Sequence, residues 1–287
     1  MHTKEGEFHG LHVTYDLIDP LEDFNPKFNL ADLLSKLESD GYDGINVTHP
    51  FKQSVLPILD DISAEAHEIG AVNTVLFRDG KRLGFNTDWI GFSEAMKSAG
   101  IERSVSALLL GAGGAGAASA YAALKHRLKT LYFYDPVEDR ARALNTKLKL
   151  LFPQKVIQIV QPEEFHLKHF DGIIQATPIG MQENPNFPID PKHLTPDTWL
   201  AELIYFPINT PLLMLAKKMG YKTVDGSTMA IHQAAAAFEL FTGARANIKH
   251  MTESFLSQVS WTYIPPQDQT ATVCYENEQK HEFFGFR

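Results

Sequence analysis

Stretches with apolar residues three and four apart alternate along this chain with short runs that are apolar throughout, and the two patterns divide it into helices and strands. NLADLLSKLESDG (29–41) carries leucines at helical spacing and closes on Gly41, which predicts a helix. LHVTYDLID (11–19) alternates as a strand does. The apolar run INV (45–47) stops at Thr48 and is followed by Pro50, which suits a first helical turn, so a helix is expected over QSVLPILDDI (53–62). VNTVLFRDGKRLGFNTD (72–88) predicts a hairpin turning on Asp79-Gly80. WIGFSEAMKSAG (89–100) predicts a helix ending at Gly100.

From residue 106 the two periods take turns. Strands are expected at SALLLG (106–111), TLYFYD (130–135), VIQIV (156–160), DGIIQAT (171–177) and TWLAELIY (198–205). Helices fall up to Lys125, from Glu138, and over Leu212–Met219 and Met229–Phe241. Strands separated by helices build a parallel, doubly wound sheet. Beyond about Pro265 the chain is polar without periodicity, and residues 263–287 are expected to be a loosely held tail.

Composition narrows the class. The 287 residues suffice for two modest domains, and 44% hydrophobic with 21% charged residues is ordinary for a water-facing globular protein. No apolar run approaches the ~20 residues of a membrane span. The single cysteine, Cys274, excludes an internal disulfide framework, and a reducing cytoplasm is expected. A net charge of −9 argues against a nucleic-acid partner. His166 and His169 stand three apart without a third ligand, so no metal site is expected.

The sharpest local motif is LLLGAGGAGAASAYAALKH. Gly111, Gly113 and Gly116 fit G-x-G-x-x-G directly after a strand, at the opening of an alanine-rich helix. Gly111 permits the tight turn, Gly113 lets a pyrophosphate approach the backbone, and Gly116 lets helix and strand pack closely. The first-turn amides around Gly114 and Ala115 then face the phosphates. Asp135 closes the next strand, where a carboxylate accepts from the adenosine ribose hydroxyls and repels a 2′-phosphate. NAD is therefore favoured. Arg140 and Arg142 are the counter-argument, because a guanidinium pairs well with the extra phosphate of NADP.

INVTHPFK, GAVNT (70–74), FNTD (85–88), GAGGAG, ATPIGM (176–181), IYFPINTPLL (204–213) and DGSTMAIHQAAAAFELFTG (225–243), in that order and spacing, resemble the shikimate dehydrogenase family. They are most similar to its NAD-dependent quinate/shikimate dehydrogenase branch, from about residue 1 to 260. The resemblance implies interconversion of a ring hydroxyl of quinate or shikimate with the corresponding ketone. It makes Lys52 and Asp88 the catalytic pair, with the amine taking the hydroxyl proton or the two sharing it in a relay. Thr48, Asn73 and Gln233 match hydroxyl-binding positions and Tyr205 the substrate-side tyrosine. Thr177, Met181 and Gly226 match positions beside the cofactor. Read singly, Thr48 could instead cap a helix, Asn73 tie a turn, Gln233 meet solvent and Tyr205 complete a core.

Three departures stand out. Gln175 replaces the family's usual asparagine, and Glu202 its more frequent aspartate. The family also opens with a strand and a Ser-x-Ser or Ser-x-Thr turn that holds the substrate carboxylate, and this chain starts just beyond them. The strands at 11–19 and 43–48 are therefore expected to lack a shared neighbour, and the sheet to be loose and turnover poor until some 15–25 residues with a strand and that turn are restored. Should His2, Thr3 or Lys4 have taken over the carboxylate, no such defect would arise. The expected protein is α/β: a substrate domain over 1–100, with 229–262 packing back on it, and a Rossmann-like dinucleotide domain over 101–228. Its partners would be NAD and a small hydroaromatic acid, with no nucleic acid or membrane; a homodimer is compatible with the chain but not required by it.

Overall fold

The computed structural model describes residues 1–18, 29–48, 50–101, 105–126, 128–182, 184–259 and 283–286. In chain order, α1 (His2–Phe8), β1 (Tyr15–Ile18), α2 (Leu30–Ser39), β2 (Gly44–Val47), β3 (Asp61–Ile62), α3 (Ala64–Ile69), β4 (Thr74–Arg78), β5 (Lys81–Phe85) and α4 (Asp88–Ser98) come first. They are followed by β6 (Ser106–Leu110), α5 (Gly114–His126), β7 (Thr130–Tyr134), α6 (Glu138–Leu151), β8 (Val156–Ile159) and β9 (Gly172–Gln175). The chain continues through β10 (Trp199–Glu202), α7 (Pro211–Lys218), β11 (Thr223–Val224), α8 (Gly226–Thr242), α9 (Ile248–Val259) and β12 (Phe283–Phe286). Two compact units result: residues 1–63, 72–85 and 234–287, and residues 64–71 and 86–233.

The second unit holds a parallel sheet in the order β11-β10-β9-β6-β7-β8. Its central strands are rich in apolar residues because both of their faces are covered, while the edge strand β8 carries exposed Val156 and Gln158. Ala107 and Leu109 of β6 join Leu131, Phe133 and Ile174 under Leu124 of α5 and Leu144 of α6. Leu108 and Leu110 point the other way, to Ile173, Leu200 and Leu212. The chain runs from β6 outward to β8, then returns to β9 on the other side of β6. The sheet is doubly wound, and the glycine turn leaves it where the winding reverses.

The first unit holds a mixed sheet in the order β1-β12-β2-β4-β5-β3. β4 and β5 form the expected hairpin, with Asp79 at φ 53° and Gly80 at φ 71°. Its core gathers Val13, Leu76, Phe238, Phe241 and Phe286. No helix forms over 53–62: Pro57 sits there in a single 3₁₀ turn, Leu56–Ile58, so Thr48 caps no helix and instead accepts from the Phe51 amide in a tight turn. The larger correction concerns the tail. Residues 283–286 form β12, antiparallel to both β1 (Tyr15 opposite Phe286) and β2 (Phe283 opposite Val47), so the slot expected to stand empty is held by the chain's own last residues.

The opening helix α1 was also unforeseen, since MHTKEGEF has no apolar face. It is held by a buried carboxylate: Glu5 accepts from the Asn247 amide at 2.6 Å, from His250 Nδ1 at 2.6 Å, and contacts His9 Nε2 at 3.1 Å. Its place at the first turn of α9 also puts negative charge at a helix N-terminus.

Candidate active site

In the first unit, the carboxyl end of β2 gathers three of the expected residues. The Val47 amide donates to the Asn73 carbonyl and the Val72 amide to the Lys52 carbonyl, each at 2.8 Å, so the backbones of Thr48, Lys52 and Asn73 lie together. Asn73 is buried and its side chain is oriented by neighbours the sequence did not single out. Thr74 Oγ1 donates to Asn73 Oδ1 (3.0 Å), Asn46 Nδ2 donates to Thr74 Oγ1 (3.0 Å), and the Tyr15 hydroxyl donates to Asn46 Oδ1 (2.8 Å). The alternation of Asn46 and Thr74 with buried Ile45 and Val75 was the signal available for them. His2 does not serve as a carboxylate holder: it packs against Tyr15, Phe238 and Phe286, and burial drives its pKa down to about 3, leaving it neutral. Lys4 donates to Ser257.

In the second unit, Asp88 opens α4 and is buried. Asn86, another residue not singled out, fixes that opening: its Oδ1 accepts from the Asp88 amide at 3.0 Å while its Nδ2 donates to the Ala71 carbonyl at 2.9 Å. Gln233 stands on α8 beside α4. Thr87 Oγ1 donates to Gln233 Oε1 at 3.3 Å, and a Cβ on Gly91 would meet Met229 O at 2.5 Å, so the two helices approach as closely as a glycine allows.

The carboxyl edge of the parallel sheet collects the expected cofactor residues. Gly111 has φ +95°, and a Cβ there would lie 2.8 Å from Ala176 O and 3.1 Å from Thr177 Cγ2, which sets the glycine turn against the loop after β9. A Cβ on Gly116 would lie 2.0 Å from Gly111 O, so that glycine serves close packing. A Cβ on Gly113 meets nothing within 4 Å: the open space is where a ligand's phosphates would reach the backbone, beside the unbonded amides that begin α5 at Gly114 and Ala115. Asp135 accepts from the Ala112 amide (2.7 Å) and the Val137 amide (2.8 Å), tying the turn to the end of β7. Those bonds leave lone pairs over, since a carboxylate has about four acceptor sites. Asp135 also lines a cavity of about 320 Å³ with Tyr134, Pro136, Glu138, Ile159 and Gln161. Arg140 lies 3.6 Å from Asp135 and Arg142 pairs with Glu138. The open Gly113, the helix start and this acidic cavity together fit a dinucleotide.

Gln175 explains its own departure from the family pattern. Fully buried, it accepts from the Thr177 amide and hydroxyl and donates to the Ile179 carbonyl at 2.6 Å, shaping the loop that leads to Gly180 (φ +111°) and Met181. Gly226 works through packing, since a Cβ there would lie 2.4 Å from Ile204 O. Tyr205 is 55% exposed in the loop after β10 rather than part of a core.

Glu202, the last residue of β10, is buried and accepts from Thr210 Oγ1 (2.8 Å) and the Ile204 amide (3.1 Å); burial nevertheless pushes its pKa up to about 7. A carboxyl raised above its unfolded value of 4.5 holds more protons folded than unfolded, so its contribution to stability is present below about 4.5 and lost as pH rises to about 7. The melting temperature should fall across that window, and Glu202→Gln should flatten the fall. An unchanged slope in the variant would assign it to another group.

Comparison with known proteins agrees with this architecture. Residues 1–75 match the model of the shikimate dehydrogenase substrate binding domain, and residues 226–254 that of the shikimate 5'-dehydrogenase C-terminal domain. The quinate/shikimate dehydrogenase (NAD(+)) of Corynebacterium efficiens is 38% identical over 90% of this chain and 92% of its own length. The shikimate dehydrogenase (NADP(+)) of Pseudarthrobacter chlorophenolicus is 39% identical over 91% of this chain and 90% of its own. Among solved structures, the quinate dehydrogenase from Corynebacterium glutamicum in complex with NAD superposes with a TM-score of 0.83 at 37% identity, covering 89% of this chain and 92% of that one. With a glycine turn at the winding reversal of a parallel sheet, a mixed sheet carrying the strand-end lysine, and such identity over nine-tenths of its length, the chain belongs to the shikimate dehydrogenase family.

Proposed function

We propose that this protein is an NAD-dependent dehydrogenase that interconverts quinate or shikimate with the 3-dehydro ketone. The observation that carries the cofactor reading is the glycine turn, where Gly113 faces open space while Gly111 and Gly116 are consumed by packing. Gly111, Gly113, Gly114, Ala115 and Gly116 would hold the pyrophosphate, Asp135 the adenosine ribose, and Thr177 and Met181 the nicotinamide side. A nicotinamide held there would supply the hydride acceptor for the ring carbon that bears the reacting hydroxyl. Lys52 Nζ would take that hydroxyl's proton as the carbon is oxidised, and the Asp88 carboxylate would orient both amine and hydroxyl. Thr48, Asn73, Gln233 and Tyr205 are polar groups of the kind that fix a polyol by its remaining hydroxyls. The lone cysteine supports a reducing compartment. Among the described residues, no helix is long and apolar enough to cross a membrane.

The defining assay follows reduced-cofactor formation with quinate and with shikimate, each with NAD and NADP. NAD should be preferred, because Asp135 and Glu138 both line the adenosine-side cavity with negative charge. Asp135→Ala should narrow the ratio of catalytic efficiencies by removing a ribose acceptor and a phosphate-repelling charge. A specific observation favours the other cofactor: Arg140, half exposed, reaches to 3.6 Å from Asp135. Preference for NADP in the unmodified protein would overturn the NAD reading and make Arg140 the phosphate ligand.

A further inference from the structure

A directed chain of hydrogen bonds crosses the mixed sheet and ends on Asn73. Tyr15, on β1, donates its hydroxyl proton to Asn46 Oδ1 at 2.8 Å, although β12 lies between their strands. Asn46 and Thr74 stand opposite one another on β2 and β4, and Asn46 Nδ2 donates to Thr74 Oγ1 at 3.0 Å. Thr74 is fully buried, and its hydroxyl has a single proton, which goes to Asn73 Oδ1 at 3.0 Å. The Tyr15 ring is held at its end of the chain: it lies 4.4 Å from the His2 ring and meets Phe286 edge-on at 6.4 Å between centroids.

The direction of the chain matters because an asparagine amide has a donor end and an acceptor end, which exchange places when it turns over. As Asn46 stands, its Nδ2 fills the acceptor side of Thr74 Oγ1 and leaves the hydroxyl proton to Asn73. Turned over, Asn46 would face Thr74 with Oδ1 and compete for that same proton. Asn73 Oδ1 would then lose its donor, and nothing in the chain would decide which end of the Asn73 amide meets a ligand. Two contacts hold Asn46 the right way round. One is the bond from its Nδ2 to the Asn73 carbonyl, which at 3.3 Å is longer than an ordinary N–H···O bond. The other is the Tyr15 hydroxyl at 2.8 Å, which is the shorter of the two.

We propose that Tyr15 is a positioning residue for the substrate: its hydroxyl orients Asn46 and, through Thr74, sets Asn73 with Oδ1 held by the protein and Nδ2 as the donor to a substrate oxygen. The inference rests on the reading that Asn73 binds a substrate hydroxyl. Tyr15→Phe keeps the ring and removes only the source of the chain. Steady-state kinetics on the full chain, with NAD and whichever of quinate and shikimate is turned over faster, should show the substrate KM raised about three- to ten-fold, the scale of one hydrogen bond, with kcat within a factor of about two. Thr74→Val should raise KM in the same way, and Thr74→Ser, which keeps the hydroxyl, should leave it near the unmodified value. A double-mutant cycle separates positioning from stability: in an Asn73→Ala background, Tyr15→Phe should no longer change KM, because no amide is left to orient. An unaltered KM in Tyr15→Phe, or an equal rise with and without the Asn73 amide, overturns the proposal and leaves the substrate reading standing. If Asn73→Ala itself keeps the unmodified KM, that reading falls, and the proposal with it.

Discussion

Lys52→Ala is expected to lower kcat at least ~100-fold, the ordinary scale for a group that moves a proton in the rate-limiting step, while NAD binds with unchanged affinity. Lys52 lies in the turn that follows β2, its backbone tied to Val72, and none of the residues of the glycine turn belongs to that unit. Truncation therefore removes a reacting group without touching the dinucleotide residues, and the loss should fall on kcat rather than on cofactor affinity. Asp88→Asn should give a comparable loss with the hydrogen bond that the Asp88 amide donates to Asn86 Oδ1 intact, since that bond involves the Asp88 backbone only. Steady-state kinetics with quinate, alongside NAD titration by fluorescence quenching, checks both. Turnover within a factor of about three of the unmodified protein would remove the pair from the mechanism.

Phe286→Ala is expected to lower the melting temperature by about 10 °C or more. Phe286 is buried, stacks on Phe241 at 4.5 Å between centroids and meets Val13, Leu76 and Phe238. Truncating a buried phenylalanine costs ~3–5 kcal/mol, a large part of the ~5–15 kcal/mol that holds a domain together. Ending the chain at residue 282 should cost more, because β1 and β2 would both lose a hydrogen-bonded neighbour. Differential scanning calorimetry reads both variants. A melting temperature within about 1 °C of the unmodified protein would mean that β12 does not occupy the sheet.

How much of this was legible beforehand follows from where the information lies. The strands and helices from 106 to 242 could be read because both faces of the central strands are covered, making those strands largely apolar, and because glycines mark the turn at 111. The grouping of Thr48, Lys52 and Asn73 at one strand end, and of Asp88 with Gln233, came from ordered motifs. Asn46 and Thr74 left only a short alternation with Ile45 and Val75, and Asn86 escaped because its work is to hold other polar groups, which leaves no trace in hydrophobic period. The helix α1 escaped because a carboxylate, Glu5, rather than an apolar face docks it. For the first sheet, the vacant slot between β1 and β2 was correctly located and its occupant was not. FFGF is only four residues at the end of a polar stretch, too short for a period to show, and nothing local says that it will pair with residues 15–18 and 44–47.

That pairing has a consequence for biosynthesis. The parallel sheet is complete once residue 224 has been made, and its unit can fold while later residues are still being added. The mixed sheet pairs Tyr15 with Phe286, and its interior strand β12 is made after every other described strand. Until β12 has been made, β1 and β2 wait with their facing edges open, exposed to pairing with any other nascent strand.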